Sequence, residues 1–98
     1  MPDSHLKFHS ENGKRQILII EDELINREML AMMLADSYEM LFAENGSQAL
    51  SALSARFDTL SLVLLDLNLP DMKGLEILRR MKDNAHLAPI PVIVMTSD

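Results

Sequence analysis

The stretch LVLLDLNLPD, residues 62–71, runs four apolar residues into an aspartate and then into Pro70 and Asp71. A short, fully apolar run of this kind suits a strand covered on both faces, as in a parallel sheet. Its charged end raises three readings of Asp66: a turn residue bonding its own backbone, a metal ligand, or a nucleophile. The segments on either side help to choose between them.

Upstream, ILII (17–20) is a second apolar, β-branched run. It leads into Glu21, Asp22 and Glu23, and then into LINREMLAMMLADS (24–37), where Ile25, Met29, Met32 and Met33 recur at helical spacing. YEMLFA (38–43) reads as a more polar strand, suited to a sheet edge. NGSQALSALSARF (45–57) opens on a turn signal and then spaces Ala49, Leu50, Ala52 and Leu53 as a helix. LSLVLLD (60–66) is a buried strand. Gly74 ends a loop, after which Leu75, Leu78 and Met81 mark a third helix. PVIVMTSD (91–98) supplies a fourth strand. The order β-α-β-α-β-α-β implies parallel strands joined by right-handed crossovers. The organisation expected is a polar lead-in over 1–15 followed by one domain over 16–98.

Composition narrows the function classes. Apolar residues make up 48% of the chain, enough to bury a core. The absence of cysteine rules out a disulfide scaffold and a thiolate metal site, and fits a cytoplasmic protein. A net charge of −6 argues against non-specific nucleic-acid binding, which needs a basic face. No apolar run approaches the roughly 20 residues of a membrane span, and the segment before Gln16 lacks the apolar centre of a secretory signal.

Open parallel sheets bind ligands at the carboxyl ends of their strands. That rule puts Glu21, Asp22, Asp66 and Thr96 on one rim. Each has an ordinary reading: the acidic run as favourable charge at a helix start, Asp66 as a turn residue, Thr96 as a β-former. Together they suggest more. Carboxylates that converge repel unless a cation lies between them. All-oxygen donors suit Mg²⁺, and no His or Cys lies near to favour zinc. A strand-end carboxylate beside Mg²⁺ can attack phosphorus and become an aspartyl phosphate. The hydroxyl of Thr96 is placed to bond a phosphoryl oxygen.

ILIIEDE, LVLLDLNLPDMKG and PVIVMTSD together resemble the receiver domains of two-component response regulators. The intervals of 44 residues from Asp22 to Asp66 and 30 from Asp66 to Thr96 are those the resemblance calls for, and ENGSQAL is similar to the family's second-helix opening. EDELINREML looks most like receivers attached to, or working with, hybrid sensor kinases. The resemblance implies a flavodoxin-like (CheY-like), doubly wound parallel α/β sheet and a phosphorelay role rather than an enzyme's turnover. Asp66 would be the phosphoacceptor and Thr96 the switch residue. Mg²⁺ (or Mn²⁺) would be held by Asp22 and Asp66 directly, by Glu21 through water, and by the Asn68 backbone carbonyl. Asn68 and Asp98 would tune dephosphorylation, and Pro70 and Gly74 would shape the loop. The partner implied is a sensor histidine kinase or a histidine phosphotransfer protein, with no nucleic acid or membrane for this domain.

The family pattern continues past the switch strand with a helix, a strand ending in a lysine that pairs with the phosphoryl group, and a last helix. This chain is expected to lack that portion. Its lysines are Lys7, Lys14, Lys73 and Lys82, none at a matching place. Three expectations follow: impaired phosphate acceptance, an exposed fourth strand, and self-association or domain swapping through it. A haloacid dehalogenase-like phosphatase is the alternative enzyme reading, but it wants an acid two residues after the nucleophile, where Asn68 stands. A non-phosphorylated interaction module is the other alternative. The methionines at 29, 32 and 33 are expected in the core. His5, His9 and His86 are expected at the surface, and RRMK (79–82) as a solvated helix end.

Overall fold

The computed structural model describes residues 14–95. Residues 1–13 of the lead-in, with His5 and His9, and residues 96–98, with Thr96 and Asp98, lie outside the described residues, while Arg15, read as the end of the lead-in, is the first residue of β1. The elements follow in the order β1 (Arg15–Ile20), α1 (Leu24–Leu34), β2 (Tyr38–Ala43), α2 (Gly46–Arg56), β3 (Leu60–Asp66), α3 (Gly74–Lys82) and β4 (Val92–Met95). Among the described residues all pairings between strands are parallel and the sheet order is β2-β1-β3-β4. The flavodoxin-like arrangement expected is the one observed, with the polar strand YEMLFA at an edge.

Alternation along the strands sends side chains to two different faces. Leu18, Ile20, Val63 and Leu65 join Ala49 and Leu53 of α2 and Ile77 and Met81 of α3 in one large buried cluster. Ile17, Ile19 and Leu64 face the other way, where Leu30 and Leu34 of α1 pack over them. β1 is apolar on both faces because both are covered.

The methionine expectation fails. Met29, Met32 and Met33 are 55%, 84% and 74% exposed, and α1 has no fully buried residue. The reason lies in the helix period. Leu30 and Leu34, one turn apart, take the sheet-facing line. The 25/29/32/33 set, although also at helical spacing, lies on a neighbouring stripe beside that line and stays exposed. A smaller correction applies to α3, where Ile77 and Met81 form the buried line, Leu78 is half-buried and Leu75 is exposed. RRMK is therefore not uniformly solvated. Met81 is wholly buried, while Arg79 and Arg80 grip Glu76 one turn back and hold its carboxyl at about 2. His86 is exposed as expected, with its ring 4.7 Å from that of Phe57.

Candidate functional site

The site is built by the ends of β1 and β3. Both strands are central, and their last residues emerge together where the sheet stops. Glu21 continues the ladder by donating its N–H to Ala43 O (2.9 Å), which fixes its backbone against β2. Leu67 N–H reaches Met95 O (3.3 Å), and Asp66 registers beside Met95 on β4. One carboxylate oxygen from each of Glu21, Asp22 and Asp66 comes within 4.8 Å of the other two. Glu21 and Asp66 are almost wholly buried, at 5% and 4% exposure, whereas Asp22 is exposed. By alternation both buried carboxylates project to the α1 side of the sheet.

Local bonds hold this arrangement. Glu21 Oε2 accepts the N–H of Glu23 (3.1 Å), at the start of α1. Glu23 stands at the N-cap position, but its own side chain makes no cap; its Oε1 accepts from Asn26 Nδ2 instead (2.9 Å). Arg27 donates to the Glu21 carbonyl oxygen (3.0 Å) and lies 3.8 Å from the Glu44 carboxylate. Asp66 Oδ1 accepts the N–H of Asn68 (3.0 Å), which sets the orientation of the carboxylate. Burial, and then the neighbouring Asp66 charge, push the Glu21 carboxyl above the usual carboxylate range, against the lowering effect of the Glu23 N–H. Beside the acids a cleft of about 410 Å³ is walled by Met29, Leu30 and Met33 of α1 and by Met95.

The loop after Asp66 is narrow at its neck. Gly74 N–H bonds Leu67 O (3.0 Å), and Asn68 bridges to Lys73. A Cβ on Gly74 would lie 2.6 Å from Asp66 O and 2.7 Å from Leu67 Cα, so only glycine permits this closure. Pro70 lies at the exposed turn of the same loop.

The donor set fits a hard divalent cation. Three carboxylates converge, one of them, Glu21, resisting ionisation through burial first and the Asp66 charge second, and such oxygen donors suit Mg²⁺ or Mn²⁺. Of the residues picked from sequence, Glu21, Asp22, Asp66 and Asn68 are brought together, with Gly74 beneath them. Thr96 and Asp98 lie outside the described residues. Arg27 and Asp71 carry structural bonds around the site that sequence reasoning missed. Their partners are set by the fold, and in the case of Asp71 stand 24 and 25 residues away.

A family model described as response regulator receiver domain matches residues 17–98. A probable transcriptional regulatory protein of Picosynechococcus is 37% identical over 96 residues, covering 92% of this chain and 38% of the relative. The phosphorylated cyanobacterial phytochrome response regulator RcpA superposes with a TM-score of 0.80 at 30% identity, covering 87% of this chain and 66% of that one. The Mn²⁺-bound form of response regulator Rcp1 superposes with a TM-score of 0.77 at 32% identity, covering 86% of this chain and 66% of that one. The chain thus spans about two thirds of the length of these solved relatives and well under half of the transcriptional regulator.

Proposed function

Since this chain belongs to the response regulator receiver domain family, we propose that it acts in a phosphorelay, with Asp66 as the residue that accepts the phosphoryl group. The observation that carries the reading is the buried convergence of Glu21 and Asp66 with Asp22 at the ends of β1 and β3. In this reading a carboxylate oxygen of Asp66 forms the new O–P bond as the P–N bond of a phosphohistidine breaks. The proton required by the departing imidazole comes from solvent. The donor is a histidine kinase or a histidine phosphotransfer protein, and the domain works in the cytoplasm. Among the described residues no helix is long and apolar enough to cross a membrane.

Asp22 and Asp66 would hold Mg²⁺ (or Mn²⁺) directly, Glu21 through water, and Asn68 through its backbone carbonyl. The cation, when bound, neutralises phosphoryl oxygens and so lowers the repulsion that the acids would otherwise present. The Asn68 amide keeps Asp66 turned for attack, and the Asn68 side chain, with Asp98, governs how readily water reaches the product. Thr96 supplies the hydroxyl that follows the phosphoryl group. Gly74 and Pro70 hold the loop. The product is a signalling state of the domain rather than a released molecule, and Asn68, which cannot serve as a general acid, speaks against a phosphatase. β4 has Ile93 and Val94 exposed and is an edge among the described residues, so self-association is proposed there.

The test uses a small-molecule acyl phosphate with Mg²⁺, read by intact mass. The expected result is a slow and partial gain of one phosphate that is absent in Asp66→Asn and absent when the metal is chelated. A gain that survives Asp66→Asn would overturn the assignment. Sedimentation as a monomer at high protein concentration would dismiss the β4 contact.

A further inference from the structure

The loop leaving Asp66 ends its excursion on another element. At its tip, Asp71 Oδ1 accepts the N–H of Gly46 (2.7 Å) and Oδ2 accepts the N–H of Ser47 (2.9 Å). These are first-turn amides of α2, which have no acceptor within the helix. Asn45 satisfies the next one, its Oδ1 accepting from Gln48 N–H (2.8 Å). The carboxylate of a distant loop and the side chain of the N-cap residue therefore share the end of α2. The bonds from Gly46 and Ser47 hold the Asp71 carboxyl below the usual carboxylate range.

Steric fit supports the same contact. Met72 lies against Gly46 so closely that a Cβ there would overlap its Cγ and Sδ. Leu69 and Met72 also pack on the large buried cluster, to which α2 contributes Ala49 and Leu53. The tip of the loop is thus fastened to the best-packed part of the molecule. The other end of the loop carries Asn68, whose N–H orients the Asp66 carboxylate.

We infer that Asp71 is a positioning residue for the acidic site: it locks the 67–73 loop to the first turn of α2, and through Asn68 fixes the geometry of Asp66. It touches neither metal nor phosphate. The metal-binding part of this inference rests on the reading of the site given above. Linkage makes the effect reciprocal, so cation binding at Asp66 must also tighten the start of α2.

The experiment compares the wild-type chain with Asp71→Ala, Asp71→Asn and Asn45→Ala. The first readout is amide hydrogen exchange at Asn68 without metal. The second is the Kd for Mg²⁺ by calorimetric titration. Asp71→Ala is expected to speed Asn68 exchange and to raise the Kd about tenfold, the scale seen when groups supporting metal ligands are removed. Asp71→Asn, which keeps the shape but replaces one acceptor oxygen with an NH₂ group, is expected to fall between Asp71→Ala and wild type. It carries the test should the alanine variant not fold. Asn45→Ala weakens the same helix end without touching the loop, and should shift both readouts less than Asp71→Ala does. The inference is overturned if Asp71→Asn matches wild type in both, or if Asn45→Ala shifts them equally. A wild-type chain that binds no Mg²⁺ would remove the metal-site reading, while Asn68 exchange would still decide the role of Asp71.

Discussion

On the side of the sheet covered by α2 and α3, twelve buried residues among those described form one cluster that runs from Leu18 to Ile90. On the α1 side the buried cluster is Ile17, Ile19 and Leu64, roofed by a helix that buries none of its own residues completely. Both sides use strands of the same apolar character, so the difference comes from what covers them. α2 presents Ala49 and Leu53 and α3 presents Ile77 and Met81, each pair one turn apart on a sheet-facing line. α1 offers Leu30 and Leu34 and leaves its remaining large apolar side chains exposed. The acidic site lies between the two. Its buried carboxylates point to the thin side, while the loop that orients Asp66 is fastened to the thick one. The acidic site is thereby open on its thinly covered side and held from its well-packed one.

The contrast is tested most strongly by truncation. Leu53→Ala should lower unfolding free energy by about 2–5 kcal/mol in urea titration, since it empties a fully buried position. Met32→Ala on the opposite side should change it by less than about 0.5 kcal/mol. Equal losses would erase the difference between the faces. Gly74→Ala comes next, with a loss of about 1–3 kcal/mol from the clash with the backbone of Asp66 and Leu67. It should also move the Asn68 amide resonance, which a remote core defect would not do.

Much of this was legible in the sequence. Strand β3 has the bounds read from LSLVLLD, because an uninterrupted apolar run ending on a charge has few other solutions in an alternating α/β pattern. The position of Asp66 followed from the strand-end rule alone. The faces of α1 were not legible, because two overlapping stripes of large apolar residues satisfy the same period and only packing chooses between them. Asp71 was invisible for a different reason. Its partners are the amides of Gly46 and Ser47, and backbone donors leave no mark in a sequence.

Two smaller effects sharpen the picture at the site. Glu21 has its folded-state carboxyl raised above 4.5, so the native state holds that proton more tightly than the unfolded chain does. The resulting destabilisation is absent below the unfolded value. It grows as pH rises from 4.5 through the raised value, and is complete above it. Glu21→Gln should therefore raise Tm at pH 7 without metal, while weakening Mg²⁺ binding. A lower Tm would contradict the burial argument. The smallest effect belongs to Glu76, whose pairs with Arg79 and Arg80 are solvated. Glu76→Gln should leave the urea midpoint at pH 7 unchanged. A clear shift would mean that the outer surface of α3 contributes to the strength of the thick side.

Gln16, at the amino end of β1, bears on how the sheet is assembled. Its Oε1 accepts from Thr59 Oγ1 (2.6 Å) and its Nε2 donates to Glu39 Oε1 (3.4 Å), beside the point where the β1–β3 pairing shifts register. The four residues that follow, ILII, are apolar toward both faces. Sliding β1 by one step past its neighbours would exchange one set of aliphatic side chains for another, and hydrophobicity would barely object. The amide of Gln16 would object, because displacement would separate it from both partners and leave its polar atoms unbonded against the apolar interior. In a strand whose oily residues are nearly interchangeable, one polar side chain at the far rim carries the information about alignment. The correct meeting of Glu21 with Asp66 at the other end therefore depends on a glutamine five residues before the first acid.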